Sequence, residues 1–486
     1  MSDAEQRLWD VIVIGAGTAG MACAITAAEQ GAQVLVIEKS ARIGGTLHVT
    51  GGHLSAGGTQ RQAARGIDDS PAQHFADVMR LSHDAADAAL VELAVNEAPH
   101  TIDWLDALGM AWDEASPRII YGHEPYEIPR TYYGTDAGRS ILQTMLPKWN
   151  EGLASGHITL WAQHSLVGLL FEGSEVTGVS IENANGTTLQ ARGRAIVLAT
   201  GGYAANAELF NKLTPNAPPL TTTAAESSTG EAIETARAAG AGFRFAERHI
   251  ASLGGIELEP GGTDSGRADY HGAWAMVFTP LYRAPREVYV NVHGLRFMAE
   301  DLPSPHEREM QVLAQPQQKF WCVWDERAMR EGDSLVKQWT TYELRHHCRQ
   351  GKFAWESDEL GLLAVKAGLP ALDLIETIVQ FNTDAECGSD EFGRMNFQYP
   401  LLEPPYYALL TKATSLISFG GLTVNSELRV LNTSGEPIQN LYAAGEIIGA
   451  GALMGRAFCG GMMLTPALSF GRWLGRTLAN QFHEAK

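Results

Sequence analysis

Asp10-Val11-Ile12-Val13-Ile14-Gly15-Ala16-Gly17-Thr18-Ala19-Gly20, followed at a helix's distance by Val34-Leu35-Val36-Ile37-Glu38, decides the fold of this chain. An apolar strand, a Gly-x-Gly-x-x-Gly turn, a helical run and a second apolar strand ending in a carboxylate make a dinucleotide-binding βαβ unit. Gly15 allows the tight turn, Gly17 lets backbone N–H groups reach a pyrophosphate, and Gly20 lets helix and strand pack closely. Glu38 ends the second strand where a carboxylate accepts hydrogen bonds from ribose hydroxyls. The candidate cofactor contacts of this unit are Gly15, Gly17, Ala19, Gly20, Glu38 and Lys39.

A second segment indicates which dinucleotide. Asn440-Leu441-Tyr442-Ala443-Ala444-Gly445-Glu446 is a short strand closing on a glycine and a carboxylate, about 400 residues after the first unit. A nicotinamide site is usually finished within one compact domain, whereas a flavoprotein returns its C-terminal end to hold the ribityl chain and flavin ring. Between the two, Ala195-Ile196-Val197-Leu198-Ala199-Thr200-Gly201-Gly202 reads as a third strand of the same sheet. FAD is therefore the expected cofactor.

With 486 residues the chain is too long for one ordinary core, and two domains are expected. A net charge of −20, from 36 basic and 56 acidic side chains, repels nucleic acid and anionic membrane. No run of eighteen apolar residues predicts a membrane span, and a strand that starts at Val11 leaves no room for a signal peptide, so a cytoplasmic location is expected. The five cysteines lack the spacing of an iron–sulfur or haem site, and no metal is expected.

Strands and helices alternate through residues 1–253. A polar, Gly-rich stretch from Gly254 to Gly272 changes the texture, and short strands such as Glu287–Asn291 and Phe320–Trp324 follow, with a helix over Ala371–Phe381. The expected fold class is α/β: a Rossmann-like FAD-binding domain in two parts, 1–253 and 413–486, with an inserted α+β capping domain over 254–412 that carries the substrate.

Taken together, Gly15-x-Gly17-x-x-Gly20, Ile43-Gly44-Gly45-Thr46, Thr50-Gly51-Gly52, Val290–Phe297 with Glu300, Phe419-Gly420-Gly421-Leu422 and Leu441–Glu446 resemble the fumarate reductase/succinate dehydrogenase flavoprotein family, which includes 3-ketosteroid and cyclohexanone-type dehydrogenases. The resemblance covers nearly the whole chain. It implies further FAD contacts at Gly44, Gly45, Thr46, Thr50, Gly51, Gly52, Val167, Thr200, Gly201, Gly445, Glu446, Met463 and Leu464.

Departures from the family pattern narrow the reading. Covalent members attach the flavin through a histidine where this chain has Gly45, so FAD is expected to bind noncovalently. The arginine that donates a proton in fumarate reductases falls at Ser304, and two further groups that clamp a dicarboxylate are replaced around Ile417-Ser418-Phe419 and Phe458-Cys459-Gly460-Gly461. Ketosteroid-type enzymes match better locally, with Thr131-Tyr132-Tyr133-Gly134 ahead of Gly138-Arg139-Ser140.

Removing two hydrogens beside a carbonyl needs a polarised carbonyl, a base for the α-proton and the flavin to take the hydride. The expected carbonyl donors are the backbone N–H groups of Gly460 and Gly461, and the expected base is Tyr132 or Tyr133, with His271 as a further catalytic candidate and Trp112 as a wall of the substrate cavity. The sequence thus points to an FAD-dependent dehydrogenase that desaturates a small or cyclic ketone, its electrons passing to a quinone, a dye-like carrier or oxygen. The alternative is a fumarate-reductase-type enzyme of a small carboxylate.

Overall fold

The computed structural model describes residues 7–214, 221–258, 274–277, 282–397 and 399–484. The strand Leu8–Ile14 lies at the heart of an eight-stranded sheet, parallel to Val34–Glu38 on one side (Val11 opposite Val34) and to Thr188–Leu198 on the other (Val11 opposite Ala195). Ile158–Ala162 extends the parallel array beyond Val34–Glu38. Pro437–Ala443 joins it beside Thr188–Leu198, with Leu441 opposite Ile196. His164–Glu172 and Glu175–Asn183 form an antiparallel ribbon leading into Thr188–Leu198.

The central strands read as continuous apolar runs because both faces of the sheet are covered. Val11, Ile12, Val13, Val34, Leu35 and Val36 are all buried. The helix Thr18–Glu29 is buried along its whole length from Thr18 to Ala27, which explains its small, unpatterned residues; a surface helix would carry one apolar stripe. Its outer flank is covered by the C-terminal helix Leu464–Glu484. The two approach so closely that a Cβ on Gly471 would stand 2.3 Å from the Ala19 carbonyl oxygen, and one on Gly475 would stand 2.5 Å from that of Cys23.

A second sheet of six antiparallel strands forms the cap, in the order Trp274–Met276, Ser252–Glu257, Tyr406–Thr414, Lys319–Trp324, Val288–Val290, with Ala354–Ser357 also paired to Tyr406–Thr414. Lys319–Trp324 shows the period-two logic: Phe320, Cys322 and Trp324 enter one core, with Tyr289 and Tyr407, while Trp321 and Val323 enter another, with Leu374, Ile378 and Phe381 of the helix Ala371–Cys387. Buried ion pairs brace this unit: Glu300 is held by Arg296 and Arg394, each at 2.8 Å, and Arg296 also reaches Asp390 at 2.7 Å. Among the described residues no helix is long and apolar enough to cross a membrane.

Candidate active site

The turn after Leu8–Ile14 is where the chain first meets its cofactor. Gly15 adopts φ +98°, and a Cβ there would stand 2.5 Å from the Ala199 carbonyl oxygen, so only glycine fits between the two parallel strands. Gly17 caps the following helix with no side-chain hydrogen bond, leaving the N-terminal end of that helix open toward a cleft of about 720 Å³. Free N–H groups and the positive end of the helix dipole make such a terminus an anion site. At the next strand end, Glu38 accepts from the Ala16 and Ser40 N–H groups at 2.7 and 2.8 Å, which fixes its carboxylate at the cleft edge.

Gly15, Gly17, Ala19, Glu38, Lys39, Gly45, Thr46, Thr50, Gly51, Thr200, Gly201, Gly445, Glu446, Met463 and Leu464 all line this one cleft, so residues from both ends of the chain meet around it. A Cβ on Gly201 would meet nothing nearer than Ser228 Oγ at 3.9 Å, and Gly17 and Gly45 face each other across a gap that larger residues would fill. This cradle of small residues, an open helix end and a ribose-side carboxylate fits FAD. Gly20, Gly44 and Gly52 lie outside the lining and serve the backbone instead: a Cβ on Gly20 would stand 1.8 Å from the Gly15 carbonyl oxygen, and one on Gly52 2.5 Å from Ala137. Val167 is also outside it. The ribbon shifts register between Leu166 and Gly168, and Val167 there is 48% exposed, while the neighbouring Ser165 and Leu166 line the cleft.

Glu446 is half-buried beside Gly202 and accepts from the Ser418 N–H at 2.8 Å; desolvation pushes its carboxyl up to about 7. Lys39 is tied to Glu231 at 3.2 Å and to the Thr229 hydroxyl, which closes the opposite end of the cleft.

The substrate end is aromatic. The rings of His53 and Tyr133 meet edge to face at 4.7 Å, His53 and His123 lie 6.0 Å apart, and His123 stands 5.1 Å from Phe458. Burial pushes His53 down to about 3 and His123 down to about 4, so both imidazoles are neutral at physiological pH. From the cap, the helix Pro305–Leu313 adds Arg308 and Glu309, and Lys337 stands at the rim. The Arg308 side chain is buried and donates to the Leu302 carbonyl. Burial holds the Glu309 carboxyl well above its ordinary range, against the pull of Arg308.

The structure separates the two candidate tyrosines. Tyr133 lines the cleft, with the Arg118 guanidinium 4.6 Å from its ring centroid. Tyr132 is fully buried away from the cleft, and its hydroxyl is paired with Thr59 at 2.6 Å. Thr131–Tyr132 is a strand paired with Leu54–Ser55, and this pairing holds Tyr132 in the packing while Tyr133, just past the strand, faces the cleft. Trp112 lies outside the cleft lining: its indole N–H donates to Asp106 at 2.9 Å and its ring packs on Tyr132. Gly461 faces the cleft, whereas Gly460 is turned away and accepts from the Tyr126 hydroxyl at 2.7 Å. His271 lies outside the described residues.

Among the cleft residues not singled out from sequence are His123, Arg308, Glu309 and Lys337. His123 and Lys337 sit in irregular loops, where periodicity carries no signal. Arg308 and Glu309 follow the helix-start signature Ser304-Pro305, which places them one turn beyond the position at which the family pattern leads the eye.

Comparison with known proteins agrees with this geometry. The chain is 27% identical over 482 residues to an NADH:fumarate oxidoreductase of Klebsiella pneumoniae, covering 99% of this chain but 48% of that protein, so it spans about half the relative's length. It is 25% identical over 465 residues to a vinyl phenol reductase of Lactiplantibacillus plantarum, covering 92% of this chain and 91% of the relative. The crystal structure of a 3-ketosteroid Δ1-dehydrogenase from Sterolibacterium denitrificans superposes with a TM-score of 0.77 at 21% identity, over 98% of this chain and 100% of that one, and shares its fold. Residues 10–462 match the FAD binding domain family, and the chain belongs to that family.

Proposed function

We propose that this protein desaturates a small or cyclic carbonyl compound at its α,β bond. The observation that carries the reading is the wall formed by His53, His123, Tyr133 and Phe458, whose two imidazoles are uncharged. Such a surface suits an uncharged ring. When bound, FAD supplies the hydride acceptor. The Gly461 N–H holds the substrate's carbonyl oxygen as negative charge gathers there, a contribution typically worth about 10²–10³ in rate. Tyr133 takes the α-proton. Burial raises its proton loss well above the ordinary value for a phenol, and Arg118, packed on its ring, is the group that opposes this and favours the phenolate. The external acceptor is a quinone, a dye-like carrier or oxygen.

Arg308 favours a second reading, in which the enzyme reduces the double bond of a small unsaturated carboxylate. Arg308 lines the cleft from the cap, with Lys337 as a second cation. One pair of experiments separates the two. Under anaerobic conditions, cyclohexanone or 4-oxocyclohexanecarboxylate should bleach the oxidised flavin; a panel of cyclic ketones with no bleaching would overturn desaturation. Rapid reoxidation of dithionite-reduced enzyme by fumarate or urocanate, with no response to ketones, would establish the second reading.

A further inference from the structure

The loop that carries Gly461 is held from behind by a side chain that never touches the cleft. Tyr126 is 3% exposed, outside the cleft lining, and its hydroxyl donates to the Gly460 carbonyl oxygen at 2.7 Å. The Gly460 carbonyl and the Gly461 N–H are the two ends of one planar peptide group. A donor placed on the carbonyl end draws electron density along that group and makes its N–H end a stronger donor, which is the cooperative strengthening seen in hydrogen-bond chains. Among the described residues the Gly461 N–H has no backbone acceptor, while Gly461 itself faces the cleft.

We infer that Tyr126 is a positioning residue, which aims the Gly460–Gly461 peptide and strengthens the Gly461 N–H as the donor for the substrate's carbonyl oxygen. This rests on the reading of Gly461 given under the proposed function.

The surroundings of Tyr126 are built to keep it still. The Arg130 guanidinium lies 5.1 Å from its ring centroid, and the His74 ring meets it edge to face at 5.4 Å. Arg130 is in turn clamped by Asp69 at 2.9 Å and Asp77 at 3.0 Å, with the Arg130 side chain fully buried. On the opposite side the turn cannot retreat: Gly461 has φ +78°, and a Cβ there would stand 2.5 Å from the Ser55 N, so the peptide is caught between Tyr126 and the strand Leu54–Ser55. Burial keeps the Tyr126 hydroxyl protonated far above neutral pH, so it donates throughout the working range.

The test is made on the FAD-loaded protein and has one readout that needs no substrate. With glycine carbonyl-¹³C and ¹⁵N labelling, only Gly–Gly peptide groups give a correlated amide signal, and the Gly460→Ala variant identifies the signal from 460–461. Tyr126→Phe should move that signal toward a weaker hydrogen bond at the carbonyl. Site-specific 3-fluorotyrosine at 126, which preserves shape and is a stronger donor, should move it the opposite way, and it serves alone if Tyr126→Phe does not fold. In turnover with cyclohexanone, Tyr126→Phe should lower kcat by about 10-fold with KM little changed, less than outright loss of a donor. A 460–461 signal that stays put in both variants, or moves the same way in both, overturns the inference. If the signal responds as expected but no carbonyl compound reduces the wild-type flavin, the positioning of the peptide stands and the assigned substrate class falls.

Discussion

Arg308 stands one helical turn beyond Ser304, and of the two only Arg308 reaches the cleft. Ser304 caps the helix by accepting from the Glu307 N–H at 3.1 Å, and its hydroxyl pairs with Glu124. The residue that reaches the cleft therefore comes from inside the helix, with its side chain buried in the cap and its guanidinium donating to the Leu302 carbonyl. Arg308→Met removes the cation but keeps much of the packing. It should slow reoxidation of reduced enzyme by an unsaturated acid by about 10²-fold or more, on the scale of losing a charged transition-state contact, while ketone-driven bleaching changes little. Stopped-flow absorbance of the flavin measures both.

Tyr133 and Tyr132 are adjacent in sequence but differ in consequence. Tyr133→Phe should abolish ketone-dependent flavin reduction, by about 10²-fold or more, with FAD retained. Tyr132→Phe should leave reduction intact and lower stability by about 1 kcal/mol, through loss of the buried hydrogen bond to Thr59. Rapid-mixing spectra and thermal melts on the two variants check this contrast.

If Tyr133 accepts the α-proton, its rate depends on the fraction of phenolate. Burial places that titration above the ordinary phenol value, so desaturation should keep accelerating through pH 7 to 10 without a plateau. The Arg118→Leu variant removes the opposing charge and should displace the profile further to alkaline pH.

His53 and His123 make stability depend on pH with an unusual sign. Their folded-state values, about 3 and about 4, lie below the ordinary 6.5, so between these limits the unfolded chain binds more protons than the native one. The stabilisation is complete above about pH 6.5 and is lost as pH falls toward 4. The urea midpoint of the wild type should therefore fall more steeply between pH 7 and 4.5 than that of a His53→Asn/His123→Asn double variant.

A side chain at the helix crossing should be poorly tolerated. At Gly471 the obstructing atom is the Ala19 carbonyl oxygen, which belongs to backbone and cannot rotate aside. Gly471→Leu should cost about 3 kcal/mol or more, at the upper end of overpacking, and should lower the temperature at which flavin fluorescence is released.

The nucleotide half of the site was legible because its signals are local. Val11–Ile14, the glycine turn and Glu38 lie within one βαβ unit, and the buried strand Leu441–Ala443 shows itself as an apolar run ending in Gly445. The substrate half depends on contacts between segments far apart in sequence. His123 meets Phe458, and Tyr126 meets Gly460, across more than 300 residues. Tyr132 and Tyr133 are indistinguishable by composition and are told apart only by the strand Leu54–Ser55, too short to announce itself. Trp112 is a large residue of the kind that walls a cavity, but its indole N–H is paired with the Asp106 carboxylate, a contact that composition does not reveal.

The crossing of Gly471 over Ala19 also bears on how the protein is made. A ribosome that has completed only the first few hundred residues holds a nucleotide-binding strand–helix–strand whose helix, apolar all round, has one flank still in water. That flank is covered only when residues 464–484 emerge and dock. Cofactor loading is thus tied to the synthesis of residues 464–484, and a nascent chain stalled before residue 464 should be a client of chaperones rather than a holder of flavin.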